Sequence, residues 1–461
     1  MAGITRYGSY LPYFRLKKSA FGAGRGERSA ASYDEDSVSM AVEAAREALR
    51  GAAVPASLVF ATSSPPYAEK LNAATICSAL KLPGETRSLE LGSCARMGVS
   101  GLLLGLDLAQ GGSATLVCCA DIMVGAPGGS RESLGGDGAV AFITGADEDS
   151  VAILRGRASA TTELIDVWRL PEDQFVRQWE ERFGADILSP IILDTVRRAL
   201  DQAEVCPSDL KAVVLDSANP RVTAAVPRVL KLDKEQLSNP LKGTVGNTGT
   251  ANAGLQLAAV LDRADPGDFV LLLSATDGCD VLVLEVTENI NSGRPLRSIE
   301  RWLASKRDDL GYHNYLKWRG VMPFEPPRRP EPERPAAPAS KRGELWKMAF
   351  VGGRCLACND MNLPAQRVCV KCGAIDQMKK EPYADAVGRV ATYTLDHLAY
   401  SLQPPVLAAV VDFELGGRIS CELTDVDPAD IDIGSAVEMT FRRLYTGQGI
   451  HNYFWKARPK R

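Results

Sequence analysis

VSMAVEAAREAL at Val38–Leu49 and ILDTVRRALDQA at Ile192–Ala203 place apolar residues with the same helical spacing, 154 positions apart. The same offset relates the strand-like Val59–Thr62 to Val213–Asp216, and Leu116–Cys119 to Val270–Leu273. Between the paired strands each half sets a glycine-containing turn before a helix. These are Gly92-Ser-Cys-Ala-Arg-Met-Gly98 before LLLGLDLAQ and Gly246-Asn-Thr-Gly-Thr-Ala-Asn252 before LQLAAVL. Agreement of separate elements at one offset marks an internal duplication. Helices alternating with apolar strands predict two α/β halves built from βαβ units, each closed by strand pairs such as Gly138–Thr144 with Val151–Arg155.

Outward from this duplicated body the chain changes character. Residues 1–150 and 151–290 are expected to be the two halves, and 291–322 a helical strap rich in aromatic and basic side chains. Pro323–Arg342, PFEPPRRPEPERPAAPASKR, holds seven prolines among mixed charges, which predicts an extended linker. Residues 343–382 contain Cys355-Leu-Ala-Cys358 and Cys369-Val-Lys-Cys372, ten residues apart. That spacing offers four thiolates to one tetrahedral Zn²⁺ in a rubredoxin-like zinc ribbon. Four protein ligands leave no open position, so the expected metal is structural. In 383–461, Gly388–Leu395, Val406–Leu415, Gly417–Leu423 and Ala436–Arg442 alternate as strands of a small OB-type β-barrel. The barrel region carries Asp412, Glu414, Glu422, Asp425, Asp427, Asp430, Asp432 and Glu438. Nucleic acid is therefore not an expected partner, and the basic end WKARPKR reads as a solvated tail.

Composition is that of a globular chain: 461 residues, 45% hydrophobic and 24% charged, which excludes disordered and collagen-like classes. A net charge of −4 gives no global attraction to nucleic acid or anionic lipid. No stretch approaches the roughly 18 apolar residues of a membrane span, and MAGITRYGSYLPYFRL lacks a signal-peptide core, so a cytoplasmic protein is expected. Eleven cysteines, an odd number with four in close pairs, fit a reducing compartment with a metal site better than a disulfide framework.

Several segments carry a family likeness: YGSYLPYFRL (7–16), DEDSVSMAVEAAREAL (34–49), TSSPPYAEK (62–70), GGDGAVAFITG (135–145) and GNTGTANAGLQLA (246–258). Together they resemble the archaeal and bacterial 3-hydroxy-3-methylglutaryl-CoA synthase branch of the thiolase superfamily, over about residues 1–320. From about Glu344 to Pro459 the chain is similar to zinc-ribbon/OB-fold proteins that accompany thiolases and related acyl-CoA enzymes. The resemblance implies a duplicated thiolase-like βαβαβ fold, a coenzyme A thioester as substrate and a homodimer through the body. It also implies a ribbon that elsewhere is a separate subunit docked beside the coenzyme A pocket and here is fused. Such enzymes use a cysteine thiolate that carries the acyl group, a glutamate acid/base and a supporting histidine.

This sequence departs from that set. The family's Ser-Glu-Ser-His-Pro-Tyr stretch matches Thr62-Ser63-Ser64-Pro65-Pro66-Tyr67, so Ser63 replaces the acid. The Cys-Lys-Ala-Gly-Thr turn matches Ala95-Arg96-Met97-Gly98-Val99, so the nucleophile position falls on Ala95 and Cys94 lies one residue away. His313, His397 and His451 all lie outside the duplicated body, although His313 in the strap is a candidate to reach in.

What remains is Asn247, matching the family's glycine-flanked asparagine loop, whose amide can donate to a thioester or enolate oxygen, or simply form a turn. Cys94, near a helix N-terminus beside Arg96, is expected to favour thiolate, with an inert buried thiol as the alternative. Tyr67 offers a phenol in the former glutamate loop. Ser63, Asp277 and Gly278 are placed by the resemblance at the substrate pocket. Three functions follow. The first is retro-aldol cleavage of a β-hydroxyacyl-CoA, which needs a base and enolate-stabilising donors but no acyl-cysteine. The second is a Cys94-dependent acyltransferase, such as a divergent synthase. The third is an inactive body that presents the ribbon and barrel to a separate thiolase.

Overall fold

The structure, a computed structural model, describes residues 2–325 and 329–461. It divides into two compact units. One comprises residues up to Ala31, Asp36–Ala73 and Gly84–Tyr312, and the other Ser32–Glu35, Ala74–Pro83 and His313–Arg461.

The first unit is a nine-stranded sheet with helices. Its strands are β1 (Ala2–Tyr10), β2 (Ser57–Ala61), β3 (Arg87–Leu91), β4 (Thr115–Ile122), β5 (Asp137–Ala146), β6 (Ala152–Thr161), β7 (Leu210–Ser217), β8 (Phe269–Ala275) and β9 (Gly278–Val286). They lie in the order β7-β8-β9-β6-β1-β5-β4-β2-β3. Parallel pairs β2–β3, β2–β4 and β7–β8 need crossover helices, and antiparallel pairs complete the sheet. The duplicated segments fall in corresponding strands, β2 with β7 and β4 with β8. Leu116–Cys119 and Val270–Leu273 are continuous apolar runs because they are buried on both faces.

The sequence pairing of Gly138–Thr144 with Val151–Arg155 needs correction. Those residues belong to β5 and β6, which lie on either side of β1. The N-terminal strand takes the slot between them, pairing Ser9 with Val140 on one edge and Gly3 with Ile153 on the other. The closing pairs are therefore β1–β5 and β6–β9.

Each half seats its helix on its closing strand through a glycine. Helix α1 (Ser37–Ala48) starts at a reciprocal cap, Asp36 Oδ1 accepting from Ser39 N and Ser39 Oγ from Asp36 N, both 2.9 Å. A Cβ on Gly8 would stand 2.4 Å from the Ala44 carbonyl of α1. In the second half a Cβ on Gly156 would stand 2.2 Å from the Ala199 carbonyl of the longer α4 (Glu181–Ala203). Helices α2 (Met97–Gln110), α3 (Ser130–Leu134), α5 (Pro220–Leu230) and α6 (Asn252–Leu261) complete the parts used below.

In the second unit, β10 (Val351–Cys355) pairs with β11 (Met361–Asn362) and β12 (Met378–Pro382) to form the ribbon. A closed barrel follows, of β13 (Val387–Asp396), β14 (Val406–Phe413), β15 (Arg418–Leu423), β16 (Ala436–Gly447) and β17 (Ile450–Pro459). Phe350 packs between Trp346, Phe413 and Trp455, joining the ribbon's first strand to the barrel core. Of the stretch read as an extended linker, residues 326–328 lie outside the described residues. Its end, Ala337–Arg342, is helical, because Ala and Lys/Arg follow a proline in the first turn, where no backbone donor is lost.

The basic end is not a solvated tail. WKARPKR lies largely within β17, and Lys456 and Arg458 are fully buried. Lys456 Nζ meets Asp34 at 3.0 Å and Glu422 at 2.7 Å, and Arg458 Nε meets Glu438 at 2.9 Å. Arg442 on β16 meets Glu35 and Asp425, each at 2.6 Å. Some of the barrel's acids therefore face inward onto its cations. Burial alone would raise the Asp34 carboxyl, but Lys456 and Arg442 outweigh it and hold the group below the usual carboxylate range. Among the described residues no helix is long and apolar enough to cross a membrane.

Candidate active site and metal centre

In open sheets ligands gather at the carboxyl ends of parallel strands, and here polar residues stand at or just past those ends: Thr62 after β2, Asp121 in β4, Asp216 and Ser217 in β7, and Ser274 in β8. Asp121, fully buried near the end of β4, is the hub. Its Oδ1 accepts from Ser63 N at 2.7 Å, Thr62 Oγ1 at 3.0 Å and Ser64 Oγ at 2.8 Å, and its Oδ2 from Thr250 N at 2.8 Å. Thus the loop carrying Ser63 and the turn carrying Asn247 share one carboxylate. Asn247 is fixed by its backbone, N to the Leu134 carbonyl and O from Gly136 N, both 2.8 Å. Its Oδ1 accepts from Gly249 N at 2.9 Å, an Asx turn. The turn reading is therefore correct for the oxygen, and the half-buried Nδ2 keeps no partner among the described residues.

The second cluster surrounds Cys94. The turn Gly92–Arg96 leads into α2, and a Cβ on Gly98 would stand 1.9 Å from the Thr250 carbonyl, so this helix start lies directly on the Asn247 turn. Arg96 is held chiefly by Asp280, although its charge still lowers the nearby thiol. Its Nε and Nη2 grip both oxygens of Asp280 at 2.9 and 3.0 Å, and Nη1 donates to the Asp277 carbonyl at 3.0 Å. Burial pushes the half-buried Cys94 thiol up and Asp277 adds to it, outweighing the opposing backbone amides of Met97 and Arg96 and the Arg96 charge. The direction of that shift favours the inert thiol over the thiolate.

Asp277 itself is exposed, in the left-handed region at φ +52°, with its carbonyl also taking Thr162 N at 3.1 Å. Partial desolvation raises its carboxyl, Glu163 adds to this and Arg96 offsets part. Gly278 opens β9, where a Cβ would meet the Ala160 carbonyl at 2.1 Å. Tyr67 is half-buried, its backbone clamped by Asn72 through Tyr67 N to Oδ1 at 3.3 Å and Nδ2 to the Tyr67 carbonyl at 3.0 Å. His313 is exposed on the helix Tyr312–Trp318.

Sequence reasoning missed Asp121, Asp280 and Asp216. Asp216, in β7, is buried and accepts from Asn252 Nδ2 at 2.7 Å and Ser274 Oγ at 2.9 Å. Burial raises its carboxyl against those two donors. The available signal was an aspartate interrupting an apolar strand, as in CCADI, VVLDS and GCDVLV.

Comparison with known proteins supplies the frame. Residues 200–284 match the family described as 3-oxoacyl-[acyl-carrier-protein] synthase III C terminal, and 381–442 match the ChsH2 C-terminal OB-fold domain. Hydroxymethylglutaryl-CoA synthase of Thermococcus sibiricus is 29% identical over 335 residues, covering 69% of this chain and 96% of that protein. The Aeropyrum pernix enzyme is 29% identical over 342 residues, covering 70% and 95%. A crystal structure of HMG-CoA synthase complexed with CoA superposes with a TM-score of 0.62 at 18% identity, over 73% of this chain and 94% of that one. The body is thus similar to 3-hydroxy-3-methylglutaryl-CoA synthases over about two-thirds of the chain, and it is fused to a domain that matches the ChsH2 OB-fold. The fold is shared with FabH from Pseudomonas aeruginosa PAO1, TM-score 0.56 at 24% identity, over 62% of this chain and 98% of that one.

Beside the OB-fold domain, the ribbon brings Cys355, Cys358, Cys369 and Cys372 together, with their sulfurs within 4.8 Å of one another. The Cys355–Cys372 and Cys358–Cys369 sulfurs are 3.6 Å apart, close to the roughly 3.8 Å edge of a tetrahedron with ~2.3 Å metal–sulfur bonds. Backbone amides of Cys372 and Lys371, with smaller help from Cys358 and the Asn362 amide, bring the Cys369 thiol down to about 6. All four residues fit one thiolate-bound ion. A cleft of about 410 Å³ between ribbon and barrel is lined by Asn362, Leu363 and Phe413, and its charges pair internally, Arg418 with Asp412 and Lys371 with Asp360.

Proposed function

We propose that this HMG-CoA synthase-like protein breaks a carbon–carbon bond in an acyl-CoA, by retro-aldol cleavage of a β-hydroxyacyl-CoA. The observation that carries this reading is the split fate of the family machinery. The asparagine turn is held with its amide uncommitted, while Ala95 and an up-shifted Cys94 occupy the nucleophile turn and the first unit holds no histidine. Donors for an enolate remain, and a covalent acyl carrier does not.

Asp277 takes the proton of the β-hydroxyl, and its raised carboxyl suits it as the base. The oxygen lone pair forms a carbonyl as the Cα–Cβ bond breaks. The bonding pair moves into the thioester as an enolate, stabilised at its oxygen by Asn247 Nδ2. Protonation at Cα then gives a shorter acyl-CoA and a ketone or aldehyde. Ser63 and Gly278 line the pocket and Tyr67 supplies a phenol beside it. The ribbon holds a structural Zn²⁺, whose four thiolates fix the knuckles and leave no site for substrate. The body pairs with a second copy of itself, as its resemblance implies.

Intact-protein mass spectrometry with a panel of β-hydroxyacyl-CoAs, with carbonyl and coenzyme A release followed in wild type and Cys94→Ala, tests the reading. Carbonyl release without an adduct, undiminished in Cys94→Ala, is expected. An acyl adduct that disappears in Cys94→Ala would establish the acyltransferase instead.

A further inference from the structure

Arg131, on α3 three residues before the Leu134 carbonyl that anchors Asn247, is a half-buried cation with no ion-pair partner among the described residues. Its Nη2 approaches only Met123 Sδ, at 3.7 Å, and its Nε is buried with no hydrogen-bond partner. No carboxylate pairs with it among the described residues. The nearby carboxylates are already spent: Asp121 receives four donors, and Asp137 is paired with Arg28. Arg28 also donates to the Glu132 carbonyl at 2.7 Å and the Met123 carbonyl at 2.8 Å. Burial pushes the Arg131 guanidinium down from its usual value, Asp121 offsets part of this, and Arg169 and Arg28 add to it.

Its position is informative. Met123 Sδ, against which the guanidinium lies, is 2.9 Å from where a Cβ on Gly249 would stand, and Asp121 Oδ2 is 2.3 Å from that same point. Arg131 therefore borders the floor shared by the Ser63 loop and the Asn247 turn. Arg131 is half-buried, so its charge is partly desolvated and its Nε is left unmatched, and such a group is one that an ion or ligand completes. A planar fork of donors matches carboxylate and phosphate oxygens.

We propose that Arg131 binds an anionic oxygen group of the acyl thioester, either a carboxylate on the acyl chain or a phosphate of coenzyme A. This rests on the acyl-CoA reading above and names the charged feature its ligand carries.

The test is calorimetric binding of glutaryl-CoA, pentanoyl-CoA and free coenzyme A to the full chain, in wild type, Arg131→Gln and Arg131→Lys. None of these ligands has a β-hydroxyl, so none can be cleaved by a retro-aldol step and binding is read apart from turnover. A Kd raised at least tenfold by Arg131→Gln for glutaryl-CoA alone identifies an acyl-chain carboxylate. Equal weakening of all three identifies a coenzyme A phosphate. Arg131→Lys, which keeps the charge, recovers part of the affinity in either case. The melting temperature of unliganded Arg131→Gln is expected to equal or exceed that of wild type, since an uncompensated charge has been removed. Kd values within twofold of wild type for all three ligands overturn the assignment. If these values shift while wild type releases no carbonyl from β-hydroxyacyl-CoAs, Arg131 stands and the retro-aldol reading falls.

Discussion

Replacing Asp34 by asparagine removes one charge and almost no volume from the buried network of the second unit. Asp34 forms an ion pair with Lys456 Nζ and accepts from Thr424 Oγ1, each at 3.0 Å, and it and Lys456 are fully buried. Removing one partner of a buried pair costs about 3–5 kcal/mol, because the remaining charge is left uncompensated. Lys456 keeps Glu422, and Arg442 keeps Glu35 and Asp425, so the lower end applies, about 3 kcal/mol. That corresponds to about a hundredfold loss of protection. Hydrogen exchange of the β16 and β17 amides in the full chain reads this local opening. Adding Lys456→Met should return part of the loss, since it removes the orphaned charge. A change of less than threefold in β16 and β17 exchange would refute the argument. The pH dependence follows from the signs. Asp34 is depressed, so its stabilisation is complete above about pH 4 and disappears as pH falls through its folded value. Lys456 is raised despite burial, so its contribution is complete below about pH 10 and disappears as pH rises through its folded value. Between those limits the pair gives no slope.

Asn247→Ala should lower kcat by about 10²–10³ with little change in KM, as loss of one oxyanion donor does, measured by carbonyl release. Asp277→Asn, which tolerates the left-handed backbone, should lower kcat by about 10²–10⁴ and abolish the acid limb of the pH–rate profile. In wild type that limb should lie above the ordinary carboxylate range, because the group must be ionised to act and its carboxyl is raised. Elemental analysis should find one zinc per chain, and Cys369→Ser should reduce metal content and loosen exchange protection in the ribbon. Gly98→Ala would place a methyl 1.9 Å from the Thr250 carbonyl, so it should cost about 1–3 kcal/mol in denaturant unfolding and disturb the Asn247 turn.

Which of these features could be read beforehand depended on distance along the chain. The paired strands, the glycine turns and the cysteine knuckles are local patterns, and they appear where the sequence places them. The insertion of β1 between β5 and β6 depends on partners more than a hundred residues away, which no local alternation reports. Arg96 looked like a neighbour for Cys94, but Asp280, 184 residues distant, takes it. The basic end looked solvated because its acids, among them Asp34, are remote in sequence. Asp121 was overlooked because one aspartate ending an apolar strand carries no motif, although it joins the Ser63 and Asn247 loops.

The Asp34–Arg442 contact spans 408 residues. At ordinary ribosomal speeds of 5–20 residues per second, about 20–80 s separate the emergence of its two sides. Throughout that interval the acidic Ser32–Glu35 loop has been made and the cations that neutralise it have not. Final closure of the barrel is thus a late event in biosynthesis. A barrel excised at residue 313 would be born with Lys456 and Arg442 short of their acids, and would need the early loop supplied in trans to close.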